Sequence, residues 1–459
     1  MLLSGLRVVA ILSLTLLMAP GSIQAGWQAG VAKVKITPTE KIWMGGYAAR
    51  TSPAEGVLQD LYAKSLVLSD EHGNKVVLVT TDLIGIPRVL RENVVAVIEK
   101  KHQLKPEQIL LNASHTHCGP ELRSEKSSLL ELDPAYLAQL QEYTQELEAK
   151  LVQVISESLS DLEPVELSYS FGRAGFAMNR RYPLADGTVR NSPYPPGPVQ
   201  HQVPVLSVTT AEGKLMGLMF GYACHNTTTG MMQFNGDYAG AAQAAIEEAH
   251  PGTIALFMMG CGGDQNPYPR GEEKFIKQHG TALALAVEAA LQDINPTRLT
   301  GQIQTHLSEI PIYFKSIPTE PELREELESD NKYQRRHAQT LLDRLTTEGA
   351  ISDEYPYLIQ SLQIGKELTL VALAGEVVVD YDAEVRREFP NRNLWIAGYS
   401  NDVFGYVPSL RVLREGGYEG GGAMLYTQFP GPFDESIQDR IMKEVVQQVS
   451  DLERSTPSP

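Results

Sequence analysis

Apolar runs of strand length that end on chemically active residues constrain this 459-residue chain more than any other feature. The run QILLNAS, residues 108–114, leads straight to His115 and His117. GLMFGYAC leads to His225, IALFMMGCGG to Asp264 and Asn266, and TLVALAG to Glu376. Short apolar runs bounded by glycine and polar residues read as buried strands. In α/β proteins, ligand sites form in the loops held at strand ends. Several strands that finish in this way can build one pocket from distant parts of a chain.

The surrounding pattern mixes strands and helices. Hairpins are expected over 63–83, turning at EHGN, over 203–225, turning at AEGK, and over 358–376. Buried strands are expected over 108–114 and 253–260, and helices over 88–102, 133–159, from 377 to about 388, and 435–452. Hairpins interleaved with helices predict an α/β fold of mixed β-sheets flanked by helices, with a metal site at strand ends. No linker rich in Pro, Gly or Ser divides the chain and no repeat is visible, so residues 26–459 read as a single catalytic domain. The stretch 318–345 is charged and helical in pattern and reads as a solvated face without chemistry.

Residues 1–25 read as a signal peptide. Arg7 precedes an apolar run at 8–20, and SIQA ends at Ala25 on the small residue that cleavage requires. Export to the periplasm or medium follows; a retained anchor is the alternative, disfavoured by the short apolar run. A net charge of -17 argues against a nucleic-acid partner, which needs a basic face. Cys118, Cys224 and Cys261 are too few for a disulfide scaffold and read as small buried residues.

Two residues apart on extended backbone, His115 and His117 point their rings to one face. Neutral imidazole is a common zinc ligand and also titrates near neutrality. A structural pair of histidines remains the alternative. His225 taken alone reads equally as a satisfied polar residue, and Glu376 equally as the cap of a following helix. GCGGDQNP, residues 260–267, lacks the lysine and hydroxyl of a phosphate loop, and no Gly-x-Ser-x-Gly elbow is present.

Taken together, SHTHCGP, MNRR (178–181), ACHNTTTG, GGDQNP, AGE, and GYSNDVFGYVPS through GGYEGGGA resemble, in order and spacing, the neutral/alkaline non-lysosomal ceramidase family. The resemblance spans nearly all of the mature chain. It implies Zn²⁺ held by His115, His225, Glu376 and Tyr406, with His117 beside the metal as acid/base. It places Tyr418 and Arg180 on the scissile carbonyl. Two departures stand out. The family's serine falls at Asn266, whose amide is then the group that donates to the carbonyl or the intermediate. The family's C-terminal immunoglobulin-like domain has no counterpart. The implied function is zinc-dependent hydrolysis of the N-acyl bond of ceramide or a related N-acyl lipid by metal-activated water, with contact to a membrane surface. The alternatives are a zinc hydrolase of the same fold with another amide or ester substrate, a non-catalytic metal- or lipid-binding relative, and a cysteine-nucleophile enzyme. No signature of oligomeric state is present.

Overall fold

Local turn chemistry sets the first hairpin. Asp70 Oδ1 accepts from the backbone N–H groups of His72 and Asn74, and Gly73 takes a left-handed φ of 83°. This Asx turn joins strand Tyr62–Ser69 to strand Lys75–Thr81. Helix Arg88–His102 follows, with Pro87 at its N-cap and Lys100, Lys101 and His102 in its last turn, where cations favour the helix dipole. The helix crosses over to strand Ile109–Ala113, which lies parallel to Lys75–Thr81.

The same unit of hairpin, helix and parallel strand occurs twice more. Strands Gln202–Thr210 and Leu215–Tyr222 lead through helix Asp237–Ala249 to strand Ile254–Met259. Strands Glu354–Ile364 and Leu368–Leu373 lead through helix Asp380–Glu388 to strand Asn393–Ala397. The first two units join through strands Trp27–Lys35 and Glu163–Arg173 into a nine-stranded mixed sheet. The third unit, with strand Ile303–Tyr313, makes a four-stranded sheet.

Strand periodicity then dictates four layers. Leu66, Leu78 and Leu110 of the large sheet pack against Leu362, Leu370 and Trp395 of the small one. One residue along, Val77, Val79 and Leu111 face helices Arg88–His102 and Pro134–Ser160 through Leu90, Val94, Leu147 and Leu151. Ile359, Val371 and Ile396 face the C-terminal helix Ile437–Arg454 through Ile441 and Val445. The order is helix, sheet, sheet, helix, as expected for side chains alternating between the two faces of each strand. A leucine at such a fully buried position contributes about 2–5 kcal/mol against alanine.

This computed structural model describes residues 26–123, 129 and 131–454. The expected export segment, residues 1–25, lies outside them. Among the described residues no helix is long and apolar enough to cross a membrane. The third helix begins at Asp380 rather than 377, because Glu376 and Val377 pair in parallel with Tyr406 and Val407. The charged stretch resolves into two helices, Glu320–Glu326 and Lys332–Glu348.

Candidate metal centre

Asn112 ties the three units together where their strands end. Its side-chain amide donates to Gly398 O at 2.8 Å and to Ser400 Oγ at 3.1 Å, and its oxygen accepts from the Met259 N–H at 2.8 Å. The loops that leave these strands therefore open onto one place. His115 does not sit on extended backbone as its spacing with His117 suggests. Its φ is 63°, a left-handed turn just past Ala113, and its N–H bonds Leu83 O. The turn, not strand geometry, brings the two rings together, with centroids 4.8 Å apart.

His225 arrives from the hairpin of the second unit and Glu376 from that of the third. Glu376 does not cap the following helix: the N-cap is Val379, with no side-chain cap bond. Its carboxylate instead turns to the histidines. His115 Nε2 lies 3.2 Å and His225 Nε2 3.3 Å from Glu376 Oε2. Parallel pairing with residue 376 sets Tyr406 alongside, its hydroxyl 3.2 Å from His225 Nε2. His117 Nε2 is 3.2 Å from His115 Nε2.

These donors fit a cation. Nδ1 of His115 lies 2.5 Å from Ile84 O, and Nδ1 of His225 lies 2.7 Å from Gly262 O. A carbonyl only accepts, so each Nδ1 carries the proton and each Nε2 presents a lone pair. Metal-binding histidines are oriented by second bonds of this kind. The facing oxygen, Glu376 Oε2, is buried and has no hydrogen-bond donor among the described residues. Lone pairs gathered without donors cost free energy unless a positive ion sits among them. Tetrahedral zinc ligands, each about 2.0–2.1 Å from the ion, lie about 3.3 Å from one another. The three buried imidazoles alone place their donor nitrogens within 4.8 Å of one another.

Electrostatics agree with this arrangement. Burial raises the Glu376 carboxyl and positive charge beside it holds it well below the usual carboxylate range; with the Nε2 atoms of His115 and His225 presenting lone pairs, that charge is one a bound cation would supply. Burial, with Arg180 next, pushes His225 down to about 3, so the ring is neutral. Burial and the neighbouring His115 and His225 push His117 well below its ordinary value. Arg180 keeps its charge despite burial, because Tyr406 and Glu419 favour it.

A cavity of about 380 Å³ stands over these residues, lined by His115, His117, Glu376, Tyr406 and Tyr418 among others. Arg180 is buried behind Tyr406, where it donates to the tyrosine hydroxyl at 2.9 Å, to Asn266 Oδ1 at 3.1 Å and to Glu419 Oε1 at 2.7 Å. Arg180 and Asn266 line a neighbouring cavity of about 310 Å³. Glycines of the turn at 260–263 serve packing: a Cβ at Gly263 would lie 2.6 Å from Glu376 O, and the Gly262 and Gly263 N–H groups bond Gly260 O and Val377 O. Those two N–H groups are thus not available to a substrate. Glu419, which clamps both Arg180 and Arg181, and the tie residue Asn112 were not legible as functional in the sequence. The adjacency of Glu419 to Tyr418 was the available signal.

The cysteines are buried and free and fall in three separate apolar clusters. Burial pushes the Cys118 thiol up to about 11 and raises the Cys224 and Cys261 thiols well above their ordinary value. None has the lowered pKa and access of a nucleophile.

Comparison with known proteins gives the family. The model of the neutral/alkaline non-lysosomal ceramidase N-terminal domain matches residues 27–296. No curated protein matches the chain in sequence. Among solved structures, the neutral ceramidase from Pseudomonas aeruginosa is similar in fold, with a TM-score of 0.73 and 20% identity over 95% of this chain and 76% of that one. A ceramidase complexed with C2 gives a TM-score of 0.72 and 19% identity over the same shares. The chain belongs to the neutral/alkaline non-lysosomal ceramidase family.

Proposed function

We propose that the protein is a zinc-dependent amide hydrolase that cleaves the N-acyl bond of ceramide or a related N-acyl lipid. The observation that carries this reading is the meeting of two oriented imidazole lone pairs with a buried, donorless carboxylate oxygen at the base of a cavity. Family membership supports the substrate class. His115, His225 and Glu376 hold the ion, with Tyr406 as the fourth ligand. A bound zinc supplies Lewis acidity, which acidifies water and polarises a carbonyl.

The chain's own residues do the rest. His117 lines the cavity next to His115, and its buried Nδ1 has no hydrogen-bond partner among the described residues; its ring takes a proton from the attacking water and gives it to the leaving amine. Tyr418 faces the same cavity and donates to the carbonyl oxygen as charge develops there. Arg180 acts one step back, fixing the Tyr406 hydroxyl. Asn266 accepts from Arg180 through Oδ1, and its amide nitrogen is the donor to the carbonyl or the intermediate. The Arg7 and apolar run before Ala25 support an exported enzyme that meets its lipid at a membrane surface.

Hydrolysis of a fluorescent N-acyl-sphingosine, measured with and without a chelator, tests the reading. Turnover that stops on chelation and returns with zinc is expected. Turnover indifferent to chelation removes the metal from the mechanism.

A further inference from the structure

Tyr418 and Glu419 are adjacent in the chain and unlike in burial. Tyr418 lines the cavity of the candidate metal centre and is 39% exposed, whereas Glu419 is 3% exposed. The pair sits in the stretch EGGYEGGGA, residues 415–423, with two glycines before it and three after. Gly417 has a φ of 74° and Gly421 one of 145°, backbone that residues with side chains rarely adopt. Glycine also loses more conformational freedom on folding than any other residue and brings no side chain to pack. The Gly422 and Ala423 N–H groups bond Gly417 O and Tyr418 O, which closes the loop on itself.

The Glu419 carboxylate ties this loop to the body of the protein. Its Oε1 accepts from Arg180 Nε and its Oε2 from Arg181 Nη1, each at 2.7 Å, and all three side chains are buried. Arg181 then reaches the backbone just ahead of Tyr418, donating to Gly416 O at 2.8 Å and to Glu415 Oε2 at 3.1 Å. The two arginines stand on framework. Strand Ala177–Asn179 before them pairs with Gln265–Pro267, and the Arg180 N–H bonds Asp264 O at 2.9 Å. Those partners follow strand Ile254–Met259 of the large sheet. Charge-assisted bonds of this kind are short and about twice as strong as neutral ones. One carboxylate thus fixes the backbone next to Tyr418, whose ring lies 5.3 Å from that of Tyr406.

We propose that Glu419 is a positioning residue that holds the Tyr418 hydroxyl where the scissile carbonyl oxygen develops charge. The inference rests on the amide-hydrolase reading above. It deepens that reading by naming the group that sets the geometry of an oxyanion donor.

The test is a double-mutant cycle on the full zinc-loaded protein with N-acyl-sphingosine as substrate. Glutamine at 419 keeps the shape of the side chain but turns one acceptor into an amide nitrogen facing an arginine N–H. Tyr418→Phe is expected to lower kcat roughly a hundredfold, as the loss of one oxyanion donor does. Glu419→Gln is expected to lower kcat about tenfold or more with KM within about threefold of wild type, the mark of an interaction made in the transition state. In the Tyr418→Phe background the Glu419→Gln penalty is expected to shrink below about threefold, since both changes remove the same donor. A purely structural role predicts a penalty of full size in both backgrounds. That result, or wild-type kcat in Glu419→Gln, overturns the inference. Where Glu419→Gln does not fold, Glu419→Asp, which keeps the charge and shortens the reach, is read in the same way.

If wild type cleaves no N-acyl-sphingosine, the hydrolase reading fails by itself, and amide hydrogen exchange decides the inference. Exchange over residues 416–423 is expected to be about tenfold or more faster in Glu419→Gln than in wild type, with strand Ile254–Met259 unchanged. Equal exchange over 416–423 overturns the inference.

Discussion

The side-chain oxygen of Asn266 accepts a hydrogen bond from the Arg180 guanidinium at 3.1 Å. Thr227 donates to the same oxygen at 3.3 Å. Arg180 in turn holds the Tyr406 hydroxyl, which lies 3.2 Å from Nε2 of His225. An asparagine at this position is therefore linked to the candidate metal site through an arginine.

Removing that support has a measurable cost. A hydrogen bond to a charged group contributes about 1.5–3 kcal/mol. Asn266→Ala is expected to lower kcat roughly ten- to hundredfold while metal content stays at the wild-type level. Steady-state kinetics beside elemental analysis checks both. An unchanged kcat contradicts the relay.

Gly46 bears on His117 in the same way. Its φ is 93°, and a Cβ built on it would lie 2.5 Å from the His117 ring. Gly46→Ala is expected to displace the imidazole. Loss of a positioned acid/base costs about a hundredfold or more in kcat. The metal, held by other residues, is expected to remain. Wild-type turnover in this variant contradicts the role given to His117.

Stability is expected to carry a pH signature at Asp237. Burial raises its carboxyl to about 6, although the N–H groups of Thr228, Thr229 and Tyr238 bond to it. A folded-state pKa above the unfolded one means that the native state binds the extra proton. The stabilising share is thus present at low pH and is lost as pH rises from about 4 through 6. Asp237→Asn does not titrate. Its stability relative to wild type is expected to rise by up to about 3 kcal/mol between acid and neutral pH, whatever its offset. Urea unfolding of both proteins across that range checks the slope, and a flat difference contradicts it.

The thiols offer a simpler check. All three cysteines are buried, and burial raises each pKa. Iodoacetamide is expected to leave N-acyl-sphingosine hydrolysis intact in the native protein and to label all three cysteines after unfolding. Fast loss of activity under native conditions would bring back a cysteine nucleophile.

Much of this was legible in the sequence where information is local. The 88–102 helix is bracketed by Pro87 and a basic last turn, and the hairpin at Asp70 to Asn74 carries its own turn chemistry. His115, His225 and Glu376 were visible because each follows an apolar strand. What escaped depends on segments far apart in the chain. The start of the third helix shifts because residue 376 pairs with 406. Asn112 becomes the tie of three strand ends only once those strands converge. Tyr333 belongs to a charged helix whose sequence records nothing of the cavity it lines. The His115 and His117 rings do share one face, but by a left-handed turn that two-residue spacing does not encode.

The most direct test is elemental analysis of purified wild type and His225→Ala, with hydrolysis measured on the same samples. The account predicts about one tightly held zinc per chain in wild type. It predicts loss of both metal and turnover in His225→Ala. A wild-type protein that hydrolyses N-acyl-sphingosine while holding no metal would contradict it.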